Sequence, residues 1–396
     1  MPGPDALPGQ RLNIVADAHI WGVKEAFSSL PGWKVSLRIM EAADICRDEL
    51  LHADALITRS STQVNEELLA GTSVRFAATA TIGDDHYDKP WLTRQGIAFA
   101  NAAGSSTDSV LEYMLTALLE LHKRGMLALP NMTLGIIGAG RIGGALADIC
   151  DGLGIRTLIN DPPRARLEGN DGFSELDALL AGADVLSLHT PLHRSGRDQT
   201  RHLLNAERLS RFRGRVIINT GRGACLDNAA LLNWLNGCKE RFAVLDCWEN
   251  EPAISAKLLG HPQLCLATPH IAGHSLDGKA ANTLYARTAL CRWLNTSPEW
   301  AMDDLLPSSP GPINIPCTSD PWTTLHAAAT SMYNIARDDR GLRSVAGSSQ
   351  DDIARTFTSL RRNYAVRRGW KHSAVHFLHP DRLTPRLARA MGMKVV

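Results

Sequence analysis

A glycine-rich turn between a strand pattern and a helix pattern constrains this chain more than any other feature. The short apolar run Thr133–Ile137 is followed at once by Gly138-Ala-Gly-Arg-Ile-Gly143, and helix-forming residues occupy 145–153. Asp161 closes the next apolar run. A strand, a Gly-x-Gly-x-x-Gly turn, a helix and a following acidic residue are together typical of a dinucleotide-binding fold.

The residues of this turn predict how a dinucleotide would be held. The first glycine would make the tight turn, the second would let the backbone approach the pyrophosphate, and the third would allow the helix to pack closely on the strand. Asp161 would accept hydrogen bonds from the adenosine ribose and repel a 2′-phosphate, which favours NAD as the cofactor. Arg164 and Arg166 lie just beyond Asp161 and could pair with a 2′-phosphate, so NADP is an alternative cofactor. The structural alternative is a tight turn that binds nothing.

Strand and helix patterns alternate along most of the chain, which predicts an α/β protein with parallel sheets. A long helix with apolar residues at helical spacing is expected over 109–121, just before the glycine turn. The series that opens with this turn predicts a doubly wound sheet, whose ligands bind at the carboxyl ends of the strands. The predicted strands are 12–16, 55–59, 74–79, 133–137, 156–160, 184–189, 215–219, 243–246, 264–267 and 374–379.

Length and composition narrow the classes of protein that fit. A chain of 396 residues is expected to form more than one domain. Its net charge of +1 provides no overall attraction for nucleic acid or for an anionic membrane, and we expect neither partner. Eight cysteines without paired spacing predict reduced thiols in a cytoplasmic protein, with no disulfide framework and no metal site. Residues 1–10 lack the pattern of a signal peptide and are interpreted as a flexible extension.

Three residues that suit the oxidation of a 2-hydroxy acid follow successive strand patterns in the second series. Arg222 lies in Asn219-Thr-Gly-Arg-Gly, Glu251 in Asn-Glu-Pro252, and His270 in Pro-His-Ile-Ala-Gly-His274. A histidine suits the base that removes the hydroxyl proton, and a carboxylate can fix its tautomer. A guanidinium offers a planar fork to the substrate carboxylate and carbonyl. Each residue alone is more often structural, but all three beyond a nucleotide turn indicate a nucleotide-dependent dehydrogenase.

At these motifs the chain resembles the D-isomer-specific 2-hydroxyacid dehydrogenase family. Within the family it is most similar to members that carry an additional C-terminal domain and oxidise 4-phospho-D-erythronate to 3-hydroxy-2-oxo-4-phosphooxybutanoate in vitamin B6 (pyridoxine) biosynthesis. Further motifs that carry the resemblance are Thr58-Arg-Ser60, Val64-Asn-Glu66, Ala78-Thr-Ala-Thr81, Asp161-Pro-Pro-Arg164, His189-Thr-Pro191, Val244-Leu-Asp246, Asp304-Leu-Leu-Pro307, Arg337-Asp-Asp339 and Leu360-Arg-Arg-Asn-Tyr364.

The resemblance implies three domains and a set of site residues. A flavodoxin-like substrate-binding domain would be split between 11–103 and 271–295, a Rossmann-type NAD domain would span 104–270, and a small α+β domain over 296–396 would form a homodimer. The substrate would be a small phosphorylated hydroxy acid. The implied catalytic residues are Arg222, Glu251 and His270. The predicted NAD contacts are Gly138, Gly140, Arg141, Ile142, Gly143, Asp161, Thr190, Thr220, Gly221, Arg222, Asp246 and Gly273, and the predicted substrate contacts are Arg59, Ser60, Thr81 and His274.

Departures from the family pattern keep other functions open. His274 stands where a tyrosine is expected, Ile82-Gly-Asp84 replaces Ala-Gly-Thr, and Thr220-Gly221 replaces Ala-Cys. A dehydrogenase of another, unphosphorylated D-2-hydroxy acid is therefore an alternative. A nucleotide-sensing regulatory protein on the same fold, like the carboxyl-terminal-binding-protein corepressors, is a third hypothesis. The C-terminal arginines are interpreted as a solvated helix face or as dimer contacts, and they are Arg361, Arg362, Arg367 and Arg368.

Overall fold

The structure is a computed structural model that describes residues 10–308 and 311–396, so the predicted extension at residues 1–10 lies outside the described residues apart from Gln10. Numbered in chain order, the strands are β1 Gln10–Asp17, β2 Trp33–Met40, β3 Ala55–Thr58, β4 Phe76–Thr79, β5 Ala98–Ala100, β6 Thr133–Ile137, β7 Arg156–Asn160, β8 Val185–Leu188, β9 Val216–Asn219, β10 Phe242–Leu245, β11 Leu264–Ala267, β12 Ile313–Pro316, β13 Ala374–Leu378 and β14 Lys394–Val395.

The helices are numbered in the same way. They are α1 Val23–Phe27, α2 Arg47–Leu50, α3 Glu66–Leu69, α4 Lys89–Arg94, α5 Thr107–Lys123, α6 Arg141–Gly152, α7 Pro162–Glu168, α8 Leu176–Gly182, α9 Ala206–Arg211, α10 Asn228–Asn236, α11 Ala256–Leu259, α12 Leu276–Trp293, α13 Pro321–Met332, α14 Ile335–Arg343, α15 Gln350–Arg362 and α16 Leu383–Ala390. Within the described residues, no helix is both long enough and apolar enough to cross a membrane.

One compact unit comprises the described residues of Met1–Ser106 together with Ser275–Ser308. Its sheet is parallel, with the strand order β2-β1-β3-β4-β5, which is the order of flavodoxin-like folds. Because successive side chains of a strand point to opposite faces, Ile14 and Ile57 pack on one side with α1 and α12, whereas Val15 and Leu56 pack on the other. The predicted flavodoxin-like topology is confirmed.

The second compact unit comprises Thr107–His274 and the described residues of Ser309–Val396. Its main sheet is parallel and six-stranded, in the order β11-β10-β9-β8-β6-β7. β8, β9 and β11 are buried along their whole length, as expected for strands covered by helices on both faces. The chain reverses its direction of winding at β6, next to the glycine turn, so the doubly wound prediction is confirmed and a ligand crevice is expected there.

The C-terminal part of this unit has a smaller sheet in the order β12-β13-β14, flanked by helices, as expected for a small C-terminal domain that contains both; the strands of this sheet are parallel. Leu325 and Ala329 of α13 share one buried core with Leu118 and Leu121 of α5. The C-terminal segment therefore packs on the long helix that precedes the nucleotide fold. The sequence-based domain boundaries remain a prediction.

Candidate active site

The glycine turn joins β6 to α6 in a geometry that only glycine fits at two positions. Gly138 has a φ of +90°, in the left-handed region that favours glycine. A Cβ atom added to Gly143 would lie 2.0 Å from the Gly138 carbonyl oxygen, so the first and third glycines pack directly on each other. The first glycine thus makes the turn and the third allows close packing, as the sequence pattern predicts.

The second glycine faces open space in a cavity of about 380 Å³. Gly140 forms the N-cap of α6 with a φ of −69°, and a Cβ atom added there would meet nothing within 4 Å. Thr190 also lines the cavity, and its buried hydroxyl has no hydrogen-bond partner among the described residues. An open helix N-terminus beside an unsatisfied hydroxyl suits a phosphate oxygen. The residues present therefore fit a bound dinucleotide.

Asp161 lines the same cavity and begins α7. Its two carboxylate oxygens accept hydrogen bonds from backbone amides at 2.8 and 3.1 Å, which orients the carboxylate while lone pairs remain for a ribose. The neighbouring arginines are engaged elsewhere: Arg164 forms a two-pronged pair with Glu168 at 2.7 and 2.6 Å, and Arg166 pairs with Asp198 at 2.5 Å. Their pairing with carboxylates favours NAD over NADP at this position.

The catalytic candidates follow three neighbouring strands. β9, β10 and β11 are adjacent and parallel, so their carboxyl ends meet at one edge of the sheet. Arg222 follows β9, Glu251 follows β10 and His270 follows β11. His270 Nδ1 lies 2.8 Å from Glu251 Oε2, and the other carboxylate oxygen of Glu251 accepts a hydrogen bond from the Trp248 amide at 2.7 Å. Since Nδ1 faces a carboxylate, Nε2 is the ring nitrogen available as a proton acceptor.

The ionic state of this pair follows from its surroundings. Burial acts to raise the pKa of the Glu251 carboxyl, but the charge of His270 and the hydrogen bonds from His270 and the Trp248 amide lower it below the ordinary value. Arg361 contributes a further lowering of this pKa. Glu251 is therefore a carboxylate at neutral pH and can stabilise an imidazolium.

Cys247 links Arg222 to the histidine–glutamate pair. The Cys247 thiol donates to the Gly221 carbonyl at 3.2 Å, and the Arg222 guanidinium donates to the same oxygen at 2.9 Å. Donor atoms of Cys247, Glu251 and His270 lie within 4.8 Å of one another, a spacing that metal ligands also show. However, burial raises the pKa of Cys247, and Glu251 is already bonded to the histidine. A neutral, packed thiol is the interpretation that fits these facts.

Asp246 orders the segment that carries His270. Its carboxylate accepts hydrogen bonds from the Thr268 hydroxyl at 2.7 Å and from the amides of Ile271 and Ala272 at 2.7 and 3.0 Å. His270 itself has a φ of +55°, which is uncommon for a residue other than glycine. Burial raises the pKa of Asp246, although the charge of His270 opposes this shift. The sequence predicts Asp246 as a cofactor contact; the structure adds its hydrogen bonds to the segment that carries His270, which the sequence does not indicate.

The remaining predicted cofactor residues lie next to residues that line this cavity or follow His270 in the chain. Thr220 Oγ1 lies 3.4 Å from Nδ1 of His189, a cavity-lining residue absent from the predicted site list. Burial lowers the pKa of His189 to about 4, so its ring is neutral at physiological pH. A Cβ atom added to Gly221 would lie 3.2 Å from the Thr190 carbonyl oxygen, which explains a glycine at this position. Arg141 and Ile142 begin α6, and Gly273 and His274 follow the catalytic segment.

The predicted substrate residues of the first unit follow two adjacent strands. Arg59 and Ser60 follow β3, and Thr81 follows β4. Thr81 Oγ1 donates to the Gly83 carbonyl at 2.8 Å and lies 2.7 Å from the Thr79 hydroxyl. The structure thus brings these three predicted residues to one edge of the first unit's sheet.

Two charged features of this edge bear on a phosphorylated substrate. The Asp84 carboxylate accepts hydrogen bonds from Lys89 at 3.0 Å and from Asn101 at 2.8 Å, so local partners offset its charge. Lys279, on α12, lies close enough to Arg59 for their charges to interact: burial lowers the pKa of Lys279, and Arg59 lowers it further. This edge therefore carries the cations Arg59 and Lys279, while Asp84 is hydrogen-bonded to its own neighbours.

The interpretation of the C-terminal arginines as solvated or dimer-contacting is wrong for Arg367. Its side chain is only 5% exposed and pairs with the equally buried Glu112 at 2.9 Å, because the segment after α15 is covered by α5. Its guanidinium also lies 4.0 Å from the centre of the Tyr333 ring. Arg361 reaches the catalytic segment, with its Nε 3.2 Å from the His270 carbonyl oxygen. No local pattern in the sequence signals either contact.

Comparisons with known proteins identify the family to which the chain belongs. Residues 116–272 match the family model of the D-isomer specific 2-hydroxyacid dehydrogenase NAD binding domain, and residues 309–389 match a domain of unknown function. The erythronate-4-phosphate dehydrogenases of Klebsiella pneumoniae and Salmonella paratyphi B are each 38% identical over 393 residues, covering 97% of this chain and 99% of the relative.

Solved structures share the fold at lower identity. The D-lactate dehydrogenase of Aquifex aeolicus, complexed with NAD and lactic acid, is 24% identical with a TM-score of 0.57, over 75% of this chain and 100% of that chain. The NAD-dependent formate dehydrogenase of Staphylococcus aureus is 22% identical with a TM-score of 0.59, over 74% of this chain and 98% of that chain. At these identities the likeness concerns the fold alone.

The fold, the nucleotide cavity and these matches define an NAD-dependent dehydrogenase of the D-isomer-specific 2-hydroxyacid class. The identity over nearly the whole chain is more specific than the class. The chain belongs to the erythronate-4-phosphate dehydrogenase family.

Proposed function

We propose that this protein uses NAD to oxidise 4-phospho-D-erythronate at C2, yielding 3-hydroxy-2-oxo-4-phosphooxybutanoate in vitamin B6 biosynthesis. The observation that carries the proposal is the His270–Glu251 pair, 2.8 Å apart, at the same sheet edge as Arg222. The family relationship, which spans 97% of the chain, supports this particular substrate.

The proposed chemistry assigns one proton transfer to this chain. Nε2 of His270 takes the proton of the C2 hydroxyl, and the Glu251 carboxylate stabilises the imidazolium that forms. NAD, when bound, accepts the hydride that leaves C2. Arg222 binds the substrate carboxylate and polarises the developing carbonyl, a role that its planar donor fork suits. The proton leaves the C2 hydroxyl oxygen and the hydride leaves C2 itself, so a 2-oxo acid remains.

The cations of the first unit are the proposed partners of the phosphate. Arg59 with Lys279 provides two positive charges, and Ser60 and Thr81 provide hydroxyl groups that follow adjacent strands. His274 is a further proposed contact and can donate a hydrogen bond where family members carry tyrosine. The pairing of Asp84 with Lys89 and Asn101 reduces the repulsion that its charge would exert on a phosphate.

We also propose that the protein is cytoplasmic and forms a homodimer through its C-terminal domain. All eight cysteines are free thiols, as is typical of a reducing compartment. Val366 and Leu378 are exposed apolar residues of the C-terminal segment, and apolar surface of this kind is common at subunit contacts. Light scattering of the purified protein at several concentrations tests the dimer.

The test of the activity is NADH formation, followed by absorbance, with NAD and 4-phospho-D-erythronate. A 2-oxo acid acceptor is added in parallel, in case reduced cofactor stays bound. Turnover that His270→Gln abolishes, while NAD still binds, supports both the substrate and the base. Equal rates on erythronate with and without the 4-phosphate would favour the alternative of an unphosphorylated D-2-hydroxy acid, which the histidine at 274 motivates. NAD binding without turnover of any 2-hydroxy acid would favour a nucleotide-sensing protein.

A further inference from the structure

The C-terminal segment provides hydrogen-bond donors to the backbone that carries the catalytic base. Arg361, the penultimate residue of α15, donates from Nε to the His270 carbonyl at 3.2 Å. Arg367 donates to the Ala272 carbonyl at 3.4 Å. These two donors come from the region that matches a domain of unknown function. The catalytic segment therefore has partners about ninety residues away in sequence.

These contacts complement those made by Asp246. The amides of His270 and Ala272 donate to the backbone oxygen and the carboxylate of Asp246 at 2.8 and 3.0 Å. Arg361 and Arg367 donate to the carbonyls of the same two residues, so both the amides and the carbonyls of this segment are hydrogen-bonded. A backbone in the left-handed region persists only when the surrounding structure over-determines it, and His270 has a φ of +55°. The C-terminal contacts are part of that surrounding structure.

The groups that hold these arginines are buried. Glu112 of α5 binds Arg367 at 2.9 Å through one carboxylate oxygen and accepts the Trp370 amide at 2.7 Å through the other. Arg361 lies on a helix whose Ile353 and Phe357 are fully buried. A contact that comes from a packed helix and a buried ion pair can hold a partner in place, whereas a contact from a solvated side chain cannot.

The charge of Arg361 also reaches the pair that performs the chemistry. Burial raises the pKa of the Glu251 carboxyl, whereas His270, the Trp248 amide and, to a smaller extent, Arg361 lower it and keep the carboxyl ionised. The same cation is close enough to Cys247 to oppose the rise of the thiol pKa, which burial dominates. One guanidinium thus contacts the backbone of the base and acts electrostatically on its carboxylate partner.

We propose that Arg361 is a positioning residue for the catalytic base, and that the C-terminal domain completes the active site in addition to any role in dimer formation. Arg361 acts through its hydrogen bond to the His270 carbonyl, which holds the backbone from which the imidazole projects. A displacement of about 1 Å at a reacting group can cost on the order of 100-fold in rate. The assignment rests on the proposed function insofar as His270 is the base.

The test compares Arg361→Gln with Arg355→Gln in the full-length protein. Arg355 lies on the same helix, is 75% exposed and pairs only with Asp352 among the described contacts, so it is the matched control. For Arg361→Gln we expect kcat to fall about 10- to 100-fold, with KM and the NAD dissociation constant within about threefold of wild type. Arg361→Lys, which keeps a donor and the charge, should recover part of kcat.

A second readout does not require turnover. Hydrogen–deuterium exchange of the peptide that covers 268–274 should be faster in Arg361→Gln than in wild type or Arg355→Gln, because the His270 carbonyl loses its donor. If wild type turns over no 2-hydroxy acid, the proposed function fails, and the exchange experiment still decides whether Arg361 holds the segment.

Three outcomes would overturn the assignment. A rise in KM for the phosphorylated substrate with kcat unchanged would make Arg361 a ligand of the substrate instead. Unchanged exchange over 268–274 would show that the segment does not depend on Arg361. A loss of NAD binding and of thermal stability that Arg361→Lys does not repair would show a general structural role.

Discussion

Replacement of Gly140 by alanine separates cofactor binding from folding, because the structure shows what a methyl group would meet there. The position has a φ of −69°, and an added Cβ atom has no neighbour within 4 Å. Alanine is less favourable than glycine at the N-cap of a helix, which opposes the gain from the lower entropy of the unfolded chain, so the unfolding free energy should change by no more than about 1 kcal/mol. The same methyl group would project into the space where the pyrophosphate approaches the helix N-terminus.

The expected loss of NAD affinity follows from the contacts that a displaced phosphate would break. Losing one or two backbone N–H bonds to a charged oxygen costs about 1.5 to 3 kcal/mol each, so roughly 3 kcal/mol is a central expectation. That figure corresponds to a rise of about 100-fold in the dissociation constant. NAD titration by calorimetry measures the affinity, and urea unfolding without cofactor measures the stability.

Gly143→Ala is the contrasting variant. Its Cβ atom would lie 2.0 Å from the Gly138 carbonyl oxygen, so the backbone must move and the unfolding free energy should fall by about 1 to 3 kcal/mol or more. NAD affinity of Gly140→Ala equal to that of wild type would refute the placement of the pyrophosphate at this turn. Equal destabilisation by the two substitutions would refute the distinction between an open and a packed glycine.

Other residues yield predictions that different measurements check. Burial lowers the pKa of His189 to about 4, so the histidine of the unfolded chain binds a proton first as the pH falls from about 6.5. Protonation of the unfolded state should therefore lower the unfolding free energy by up to about 3 kcal/mol between pH 6.5 and 4. Urea unfolding at a series of pH values should show that the unfolding free energy of His189→Asn falls less steeply with decreasing pH than that of wild type. Glu112→Gln leaves the Arg367 charge buried and should lower the unfolding free energy by about 3 to 5 kcal/mol, and a cycle with Arg367→Met should show that the losses are far from additive. Glu168→Gln removes the carboxylate partner of Arg164, which keeps its hydrogen bond to the Ala139 carbonyl, and should tighten NADP binding about two- to fivefold with NAD binding unchanged. An equal change for both cofactors in a binding titration would count against a role of this ion pair in cofactor specificity.

The predicted and observed strands agree best where the local pattern is strongest. β6, β7 and β11 have the bounds that the sequence predicts, because each ends at or near a residue that interrupts a strand: Gly138 after β6, Asp161 after β7 and Pro269 shortly after β11. β2 was missed because it lies at the edge of its sheet, and polar residues such as Lys34 and Arg38 interrupt its apolar positions. α12 was missed because its sequence is too polar to show a clear apolar face, although nine of its residues are buried.

The candidate site likewise contains residues that the local sequence pattern identifies and contacts that it does not. Arg222, Glu251 and His270 could be singled out because each follows a strand pattern, and strands that run parallel bring their carboxyl ends to one edge. The pairing of Glu251 with His270 at 2.8 Å agrees with the role expected from their chemistry. The use of the Asp246 carboxylate to hold 268–272 was not predicted, because an aspartate beyond a strand fits a cofactor contact equally well.

Local sequence patterns were sufficient to predict the nucleotide turn, most strands of the two larger sheets and the types of residue that follow those strands. The burial of Arg367 against Glu112 and the contact of Arg361 with the His270 carbonyl depend on the packing of segments that are far apart in the chain. The periodicity of apolar residues indicates which face of a helix or strand is buried, and it depends only on residues that are close together in the chain. An arginine has the same local sequence signature whether water or a distant carboxylate surrounds it, so its partner is known only once packing has brought the two segments together.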